Sequence, residues 1–222
     1  MNLGILEIDH LLTYVKDIGQ ATVAYERMGF HLTPHSHITS MGIVNRLALM
    51  TERTPGAANF IEMMSVTDAN SLPDAMKDAL SGAEGIKSMV MSSPDVAAAQ
   101  RELVKAGYAF GEPRHLRREW ALPGEPSVWP EFDVLLPIPA PLSFNVCQYH
   151  NLPLYQRADW RTHRNGARSL LACVAVADAP QDCAAYFEAL FGCRATKTAD
   201  GGLATTPSAT ELVVYEPSAF TA

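Results

Sequence analysis

The chain has 222 residues, of which 48% are hydrophobic and 18% are charged, with 24 acidic residues against 17 basic ones. A chain of this length buries a sizeable core without disulfides, and its apolar content argues against global disorder. The net charge of −7 and the lack of a dense Lys/Arg run argue against binding nucleic acid through its phosphates. No apolar stretch reaches the roughly 20 residues of a membrane-spanning helix.

The N-terminal segment does not have the pattern of a signal peptide. Residues 1–10 lack a basic start and carry Glu7 and Asp9. The four cysteines form no C-x-x-C pair, which is typical of buried thiols in a reducing compartment. These features predict a cytoplasmic protein.

The N-terminal part of the chain has the pattern of one strand, one helix and three further strands. Residues 7–15 are apolar and β-rich, and Asp17 precedes a helical stretch over residues 18–28 that ends at Gly29. Asp17 is the expected N-cap, because a side-chain oxygen there accepts from free N–H groups of the first turn. The sequence therefore predicts a first βαβββ unit over residues 1–66, with later extended segments at residues 30–37, 44–50 and 59–66.

The same pattern returns in the middle of the chain. Asp95 corresponds to Asp17, and Gly107 and Tyr108 correspond to Gly29 and Phe30, with no gap between the two matches. A repeat of this length indicates a supersecondary unit that pairs with its neighbour. The second βαβββ unit is predicted over residues 85–150, with later extended segments at residues 109–119, 132–136 and 143–150.

A third copy follows near the C-terminal end, where Asp178 corresponds to Asp17. Only two extended segments are legible after its helix, so a partial βαββ unit is predicted over residues 167–222. The linkers are residues 67–84, with a short helix near residues 73–80, and residues 151–166. The predicted fold class is α+β, built from repeated βαβββ units with a partial third unit.

Repeated βαβββ units are the building block of the vicinal oxygen chelate superfamily, and four segments of this chain resemble its glyoxalase-like members. They are LEIDHLLTYVKDIGQATVAYERMGF, GIVNRLALM, NFIEMM and the linker HRNGARSL. The superfamily includes glyoxalase I, bleomycin-resistance proteins and extradiol dioxygenases. The resemblance implies that the paired units form curved half-barrel sheets around a cavity.

The resemblance also implies metal ligands on the first and last strands of each unit. In the first unit these positions are occupied by His10 and Glu62. Strand alternation predicts that Ile8, His10, Leu12 and Tyr14 share one face. A histidine and a glutamate on apolar faces need a partner when buried, which either a metal ion or a mutual hydrogen bond supplies.

The ligand pattern is incomplete in the second unit. Ser88 lies opposite His10 in the repeat alignment, and a serine hydroxyl is a poor ligand for Zn, Fe or Ni. On the last strand, Gln148 or His150 aligns with Glu62, and the two share a face. The expected ligands are His10, Glu62 and Gln148 or His150 around Zn, Ni, Fe or Mn, with one open position; no cofactor at all is the alternative.

Five further side chains are candidates for binding a substrate. Arg46 suits a carboxylate or enolate oxygen, although a surface ion pair is the slightly favoured explanation. Trp120 and Tyr149 are candidate cavity walls, although aromatic residues in sheets are often plain core. Glu62 is the candidate general base, and the substrate-binding set is Asn45, Arg46, Ser88, Trp120 and Tyr149.

Two functions of different classes follow. The favoured one is a divalent-metal-dependent enzyme on a small oxygenated substrate, of the lyase, isomerase or dioxygenase type, in which the metal stabilises an enediolate-like anion. The alternative is a metal-free small-molecule binding or sequestering protein of the bleomycin-resistance type. The expected partners are a small-molecule ligand and a second copy of the chain, because a partial third sheet leaves an open edge.

Overall fold

The computed structural model describes residues 3–122 and 124–220, and the predicted unit bounds at residues 1 and 222 lie outside this part of the chain. The first unit consists of β1 (Glu7–Tyr14), α1 (Ile18–Arg27), β2 (Ser36–Ile38), β3 (Ile43–Leu49) and β4 (Phe60–Val66). A short helix, α2 (Asp74–Ala79), lies in the first linker as predicted. The second unit consists of β5 (Gly85–Ser92), α3 (Val96–Lys105), β6 (Arg114–Arg117), β7 (Glu131–Ile138) and β8 (Phe144–Tyr149).

The predicted helix starts of the first two units are confirmed. The Asp17 carboxylate accepts from the backbone N–H of Gly19 at 2.8 Å, and the Asp95 carboxylate accepts from that of Ala98 at 2.8 Å. Each carboxylate satisfies an N–H group that has no partner inside its helix.

The two units join into one eight-stranded sheet with the order β2-β3-β4-β1-β5-β8-β7-β6. Within each unit the first and last strands pair in parallel, β1 with β4 and β5 with β8. Between the units, β1 and β5 pair antiparallel at the centre of the sheet. The sheet therefore has two related halves, and its inner face encloses a cavity. The mixed α+β fold predicted from the repeats is confirmed.

An irregularity in β1 changes which side chains face the cavity. The register between β1 and β5 shifts between Ile8 and His10, so Asp9 is an extra residue without a cross-strand partner. Such a bulge breaks the strict alternation of faces. As a result, Ile8 packs with Leu11 in the outer core, whereas His10 lines the cavity. The expectation that Ile8 and His10 share a face is wrong for this reason.

The third unit has the same element order as the other two. It consists of β9 (Ala172–Val176), α5 (Pro180–Phe191), β10 (Thr196–Lys197), β11 (Leu203–Thr205) and β12 (Glu211–Tyr215), in a separate sheet ordered β10-β11-β12-β9. The sequence prediction omitted β11, because so short a strand cannot show alternation. The unit is thus abbreviated rather than lacking a strand.

The third unit packs on the outer face of the large sheet. From α5, Phe187 contacts Phe144 of β8, with ring centroids 6.0 Å apart, and both side chains belong to the outer core. Glu7 of β1 ties the two parts together, because its carboxylate accepts from the backbone N–H groups of Ala209 and Thr210 at 2.8 and 3.1 Å.

The second linker packs its aromatic side chains against the large sheet. It contains a short helix, α4 (Ala158–Arg161), and contributes the buried side chains of Tyr155 and Trp160. Both pack against Trp120 and Phe60 in one aromatic cluster. In the part of the chain that the structure describes, no helix has the length and apolar character needed to cross a membrane.

Candidate functional site

The inner face of the eight-stranded sheet surrounds a cavity of about 50 Å³. Most of its wall is apolar, and the polar side chains come from β1, β4, β8 and the residue that follows β6. A void of this size has room for a few water molecules or a small organic group. The polar lining residues are His10, Glu62, Arg118, Asn145 and Tyr149.

His10 is buried and held on several sides. Its Nδ1 lies 2.7 Å from a carboxylate oxygen of Asp9, and its Nε2 lies 3.5 Å from Glu62 Oε2. Its ring stacks on Phe60, with centroids 3.9 Å apart. The bulge at Asp9 makes the first contact possible, because neighbouring side chains of a regular strand point to opposite faces.

Asp9 is itself anchored by two further donors. The backbone N–H of Ala58 donates to one carboxylate oxygen at 2.7 Å, and the hydroxyl of Tyr149 donates to the other at 2.5 Å. Burial raises the pKa of Tyr149 well above its usual range, so this hydroxyl keeps its proton. Asp9 therefore fixes the orientation of the His10 ring, as a carboxylate does in many His-containing sites.

Glu62 carries the second buried negative charge of the site. Its Oε1 accepts from Asn45 Nδ2 at 2.6 Å and from an Arg118 guanidinium nitrogen at 3.3 Å. Asn45 is fixed in turn by the hydroxyl of Ser36, which donates to Asn45 Oδ1. The guanidinium of Arg118 also lies over the ring of Phe132, 4.7 Å from its centroid.

These contacts oppose the effect of burial on the two titrating groups. Burial alone lowers the pKa of His10, but the hydrogen bonds with Asp9 and then Glu62 raise it, and the net pKa is above the ordinary 6.5. Burial alone raises the pKa of Glu62, but His10 and then Arg118 lower it to a net value below the ordinary 4.5. Both side chains are therefore favoured in their charged forms.

The second unit presents neutral side chains at the equivalent positions. Leu12 of β1 pairs with Glu62, and Val90, which the repeat aligns with Leu12, pairs with Asn145. Asn145 is therefore the counterpart of Glu62. Ser88, the counterpart of His10, donates its hydroxyl hydrogen to Asn145 Oδ1 at 2.9 Å.

This donor set does not fit a resident divalent metal ion in the cavity. Catalytic sites for such ions usually use three protein ligands, and here the family positions supply only His10 and Glu62. Ser88 and Asn145 are neutral and bonded to each other. The guanidinium of Arg118 already places a positive charge beside Glu62, where it would repel a cation.

Gln148 and His150, the expected third ligands, lie on the outer side of the sheet. Cys147 and Tyr149 line the cavity, so alternation turns their neighbours outward. Gln148 accepts from the backbone N–H of Val96 at 2.9 Å, at the start of α3. The expectation that either side chain faces His10 is thus corrected, because the phase of β8 was assigned one residue off.

His150 instead joins two residues of the neighbouring strands. His115 on β6, Asp133 on β7 and His150 just after β8 bring three potential metal-ligating atoms within 4.8 Å of one another. Among the described residues, this is the group of at least three His, Cys, Asp or Glu side chains with the spacing of a metal site.

The predicted substrate-binding residues are divided between the cavity and other parts of the fold. Tyr149 lines the cavity. Asn45 does not line it but is hydrogen-bonded to Glu62, which does. Arg46 points to the outer face, where it donates to the backbone carbonyl of Thr33 at 2.7 Å and pairs with Glu26 at 3.3 Å. Trp120 is fully buried in the aromatic cluster outside the cavity lining, and Ser88 is bonded to Asn145.

Three residues of the site were not among the sequence candidates. Asp9 stands beside His10, but only the bulge makes the two side chains meet. Arg118 comes from a cluster of surface-like arginines and is nevertheless 3% exposed. Asn145 would have been found by counting from the strand pairing rather than from the repeat spacing alone.

The fold and cavity define a protein of the vicinal oxygen chelate class, in which paired βαβββ units enclose a site. The chain belongs to the glyoxalase-like domain family, whose pattern it matches over residues 8–191. A search of curated proteins found no match.

Solved structures with a related fold include one that spans most of this chain. A hypothetical protein from Staphylococcus aureus is similar with a TM-score of 0.70 and 11% identity, over 94% of this chain and 85% of that one. A methylmalonyl-CoA epimerase from Streptomyces coelicolor has a TM-score of 0.47 and 18% identity, over 64% of this chain and 96% of its own. The epimerase from Mycobacterium tuberculosis has a TM-score of 0.41 and 19% identity, over 65% and 88%.

Proposed function

We propose that the cavity binds a small oxygen-bearing molecule with a mainly apolar body, without the help of a metal ion. The observation that carries this proposal is a buried hydrogen-bond donor of Arg118 that has no partner within residues 3–122 and 124–220. Its guanidinium lines the cavity and is 3% exposed, yet its Nε–H has no hydrogen-bond partner among the described residues. A buried donor without a partner is costly unless something satisfies it.

An oxygen of the ligand would satisfy this donor. Arginine offers several N–H groups in a fixed planar arrangement that matches carboxylate and carbonyl oxygens. Within the part of the chain that the structure describes, this guanidinium makes a single hydrogen bond, to Glu62. The ligand head group would therefore lie in the polar part of the cavity, within reach of Arg118.

The remaining wall accounts for the apolar body of the ligand. Leu116 and Val134 line it from the second unit, and Met64 lines it from the first. Met76 of α2 adds a flexible side chain to the same wall. Methionine adapts its shape easily, so this part of the wall accommodates bodies of more than one shape.

The binding test uses short-chain carboxylates and 2-oxo acids, with alcohols of the same length as matched controls. We expect the acids, and not the alcohols, to raise the melting temperature of the wild-type protein. Arg118→Met and Arg118→Lys should both lose this shift, because neither side chain carries an N–H group at the position of the arginine Nε. Arg117→Met is the matched control, since Arg117 is exposed and stacks on Trp129 at 5.0 Å. An equal shift in the Arg118 variants would contradict the proposal.

A second candidate function is proton transfer to or from the bound molecule. The pairing of Asp9 with His10 favours it, because a carboxylate that orients a histidine supports general acid–base chemistry. The test is exchange of the hydrogen next to the carbonyl of a bound 2-oxo acid in D₂O. Asp9→Asn should slow this exchange by about 10²-fold or more while binding persists. Exchange at the wild-type rate in that variant would exclude the role.

The metal-dependent reaction that the family resemblance implies makes a different prediction. It requires about one equivalent of Zn, Ni, Fe or Mn in protein purified without a histidine tag, and loss of that metal in His10→Ala and Glu62→Ala. Elemental analysis of the wild type and of these two variants decides between the metal-dependent reaction and metal-free binding. A metal that depends on His10 and Glu62 would overturn the metal-free proposal.

A further inference from the structure

The outer face of the second unit carries a group of three side chains that the cavity chemistry does not use. His115 and Asp133 are directly opposite each other on β6 and β7. His150 follows β8, whose Gln148 pairs with Asp133, so His150 is the diagonal neighbour on the same face. Leu116, Val134 and Tyr149 line the cavity from the opposite side. Three adjacent strands thus present one cluster to solvent.

The three potential ligand atoms lie within 4.8 Å of one another. His115 Nδ1 lies 2.8 Å from Asp133 Oδ1, and His150 Nε2 lies 3.0 Å from Asp133 Oδ2. The two imidazole rings have their centroids 5.5 Å apart. Ligands that hold one ion at about 2.0–2.2 Å are roughly 3.3 Å apart in a tetrahedral site, so only small side-chain shifts are needed.

The chemistry of the donors selects the kind of ion. Two imidazole nitrogens and one carboxylate suit Zn²⁺, Co²⁺, Ni²⁺ or Cu²⁺, whereas Mg²⁺ and Ca²⁺ prefer oxygen ligands alone. His115 and Asp133 stand on paired strands and His150 directly follows a third one, and strands hold ligand positions more firmly than loops do. The side chains of His115 and His150 are 59% and 38% exposed, so the ion would be open to water or to an external ligand.

We propose that His115, Asp133 and His150 form a surface site for one transition-metal ion of the zinc type, separate from the cavity. β6 is the outermost strand of its sheet. An ion at this site would connect that edge strand to β7 and to the end of β8. The bound metal should therefore stabilise the folded protein, because the unfolded chain does not hold the three ligands together.

The test is calorimetric titration of the tag-free full chain with Zn²⁺, together with visible spectra of the Co²⁺ form. We expect one strong site in the wild type and a melting temperature that rises with Zn²⁺. Each of His115→Gln, Asp133→Asn and His150→Gln should weaken binding about tenfold or more and reduce the d–d absorption of Co²⁺. These side chains are partly or largely exposed, so the metal-free melting temperatures should stay close to wild type.

Two controls separate this site from other histidines. The double variant His35→Gln/His37→Gln removes two exposed histidines elsewhere and should bind Zn²⁺ like the wild type. His10→Gln removes the cavity histidine and should also leave binding unchanged. The proposal is overturned if His115→Gln/His150→Gln binds Zn²⁺ as tightly as the wild type, or if binding is lost in His10→Gln instead.

Discussion

Asn145 occupies in the second unit the position that Glu62 occupies in the first. Each pairs with the residue two positions after the first-strand site, Leu12 for Glu62 and Val90 for Asn145. Glu62 is surrounded by His10, Asn45 and Arg118, whereas Asn145 is bonded to Ser88. The carboxylates and the histidine of the site therefore come from the first unit, whereas the second unit contributes Arg118 and neutral side chains at the equivalent strand positions.

This asymmetry predicts unequal effects of the same substitution. Glu62→Leu should destabilise the protein by about 3–5 kcal/mol, because it leaves His10 and Arg118 buried without their counter-charge. Asn145→Leu should cost only about 1–3 kcal/mol, since it removes a hydrogen bond between two neutral side chains. Urea unfolding of both variants measures the difference. Equal losses would mean that the ionic contacts of Glu62 contribute nothing beyond packing.

The pKa shifts predict how stability changes with pH. The raised pKa of His10 gives a contribution that is complete below pH 6.5 and is lost as pH rises through the folded-state pKa. The lowered pKa of Glu62 gives a contribution that is complete above pH 4.5 and is lost as pH falls through its folded-state pKa. His10→Gln should flatten the alkaline side of the urea-unfolding profile. An unchanged alkaline slope in that variant would contradict the assignment to His10.

Asp9 should contribute more to stability than the hydroxyl of Tyr149, from which it accepts a hydrogen bond. Tyr149→Phe removes one hydrogen bond and should cost about 1 kcal/mol. Asp9→Ala also strands the N–H of Ala58 and the buried His10, and should cost about 3 kcal/mol or more. A double-mutant cycle from urea unfolding gives the coupling between the two side chains. Additive losses would show that the hydroxyl does not support Asp9.

The sequence predicted what depends on local patterns. Asp17 and Asp95 are recognisable as N-caps because their hydrogen bonds are made within the first turn of the helix that each precedes. His10 and Glu62 were expected together because the family resemblance implies ligands at both positions and each lies on an apolar strand face. Their 3.5 Å contact agrees with that expectation of a shared site.

What the sequence did not predict depends on register and on distant contacts. A one-residue bulge at Asp9 leaves no pattern in the residues, yet it changes the face of Ile8. In β8 the predicted alternation was one residue out of phase, so Gln148 and His150 were expected to face the cavity in place of Tyr149. Arg118 meets Glu62 across 56 positions of the chain, a contact that only the closed fold creates.

Glu7 should control how firmly the third unit is attached. Its buried carboxylate accepts from Thr54 Oγ1 at 2.5 Å as well as from Ala209 and Thr210. Glu7→Gln replaces one acceptor oxygen with a donor that faces these N–H groups, so protection of α5 from hydrogen exchange should fall. Glu216→Gln, on an exposed residue of the same unit, is the control. If α5 is equally protected from hydrogen exchange in both variants, Glu7 is not the attachment point.

The free edge of β9 predicts that two copies of the chain form a dimer. β1 and β5, the first strands of their units, pair antiparallel, whereas the corresponding strand of the third unit has no partner on its outer edge among the described residues. Val174 and Val176 on this strand are 50% and 43% exposed. Unpaired strand edges with apolar side chains tend to pair, and a second copy would supply β9 in the antiparallel direction through a two-fold axis. Sedimentation at micromolar concentration should show a dimer that Val174→Lys dissociates, while Val104→Lys on α3 should leave it intact. A wild-type monomer under these conditions would rule out this interface.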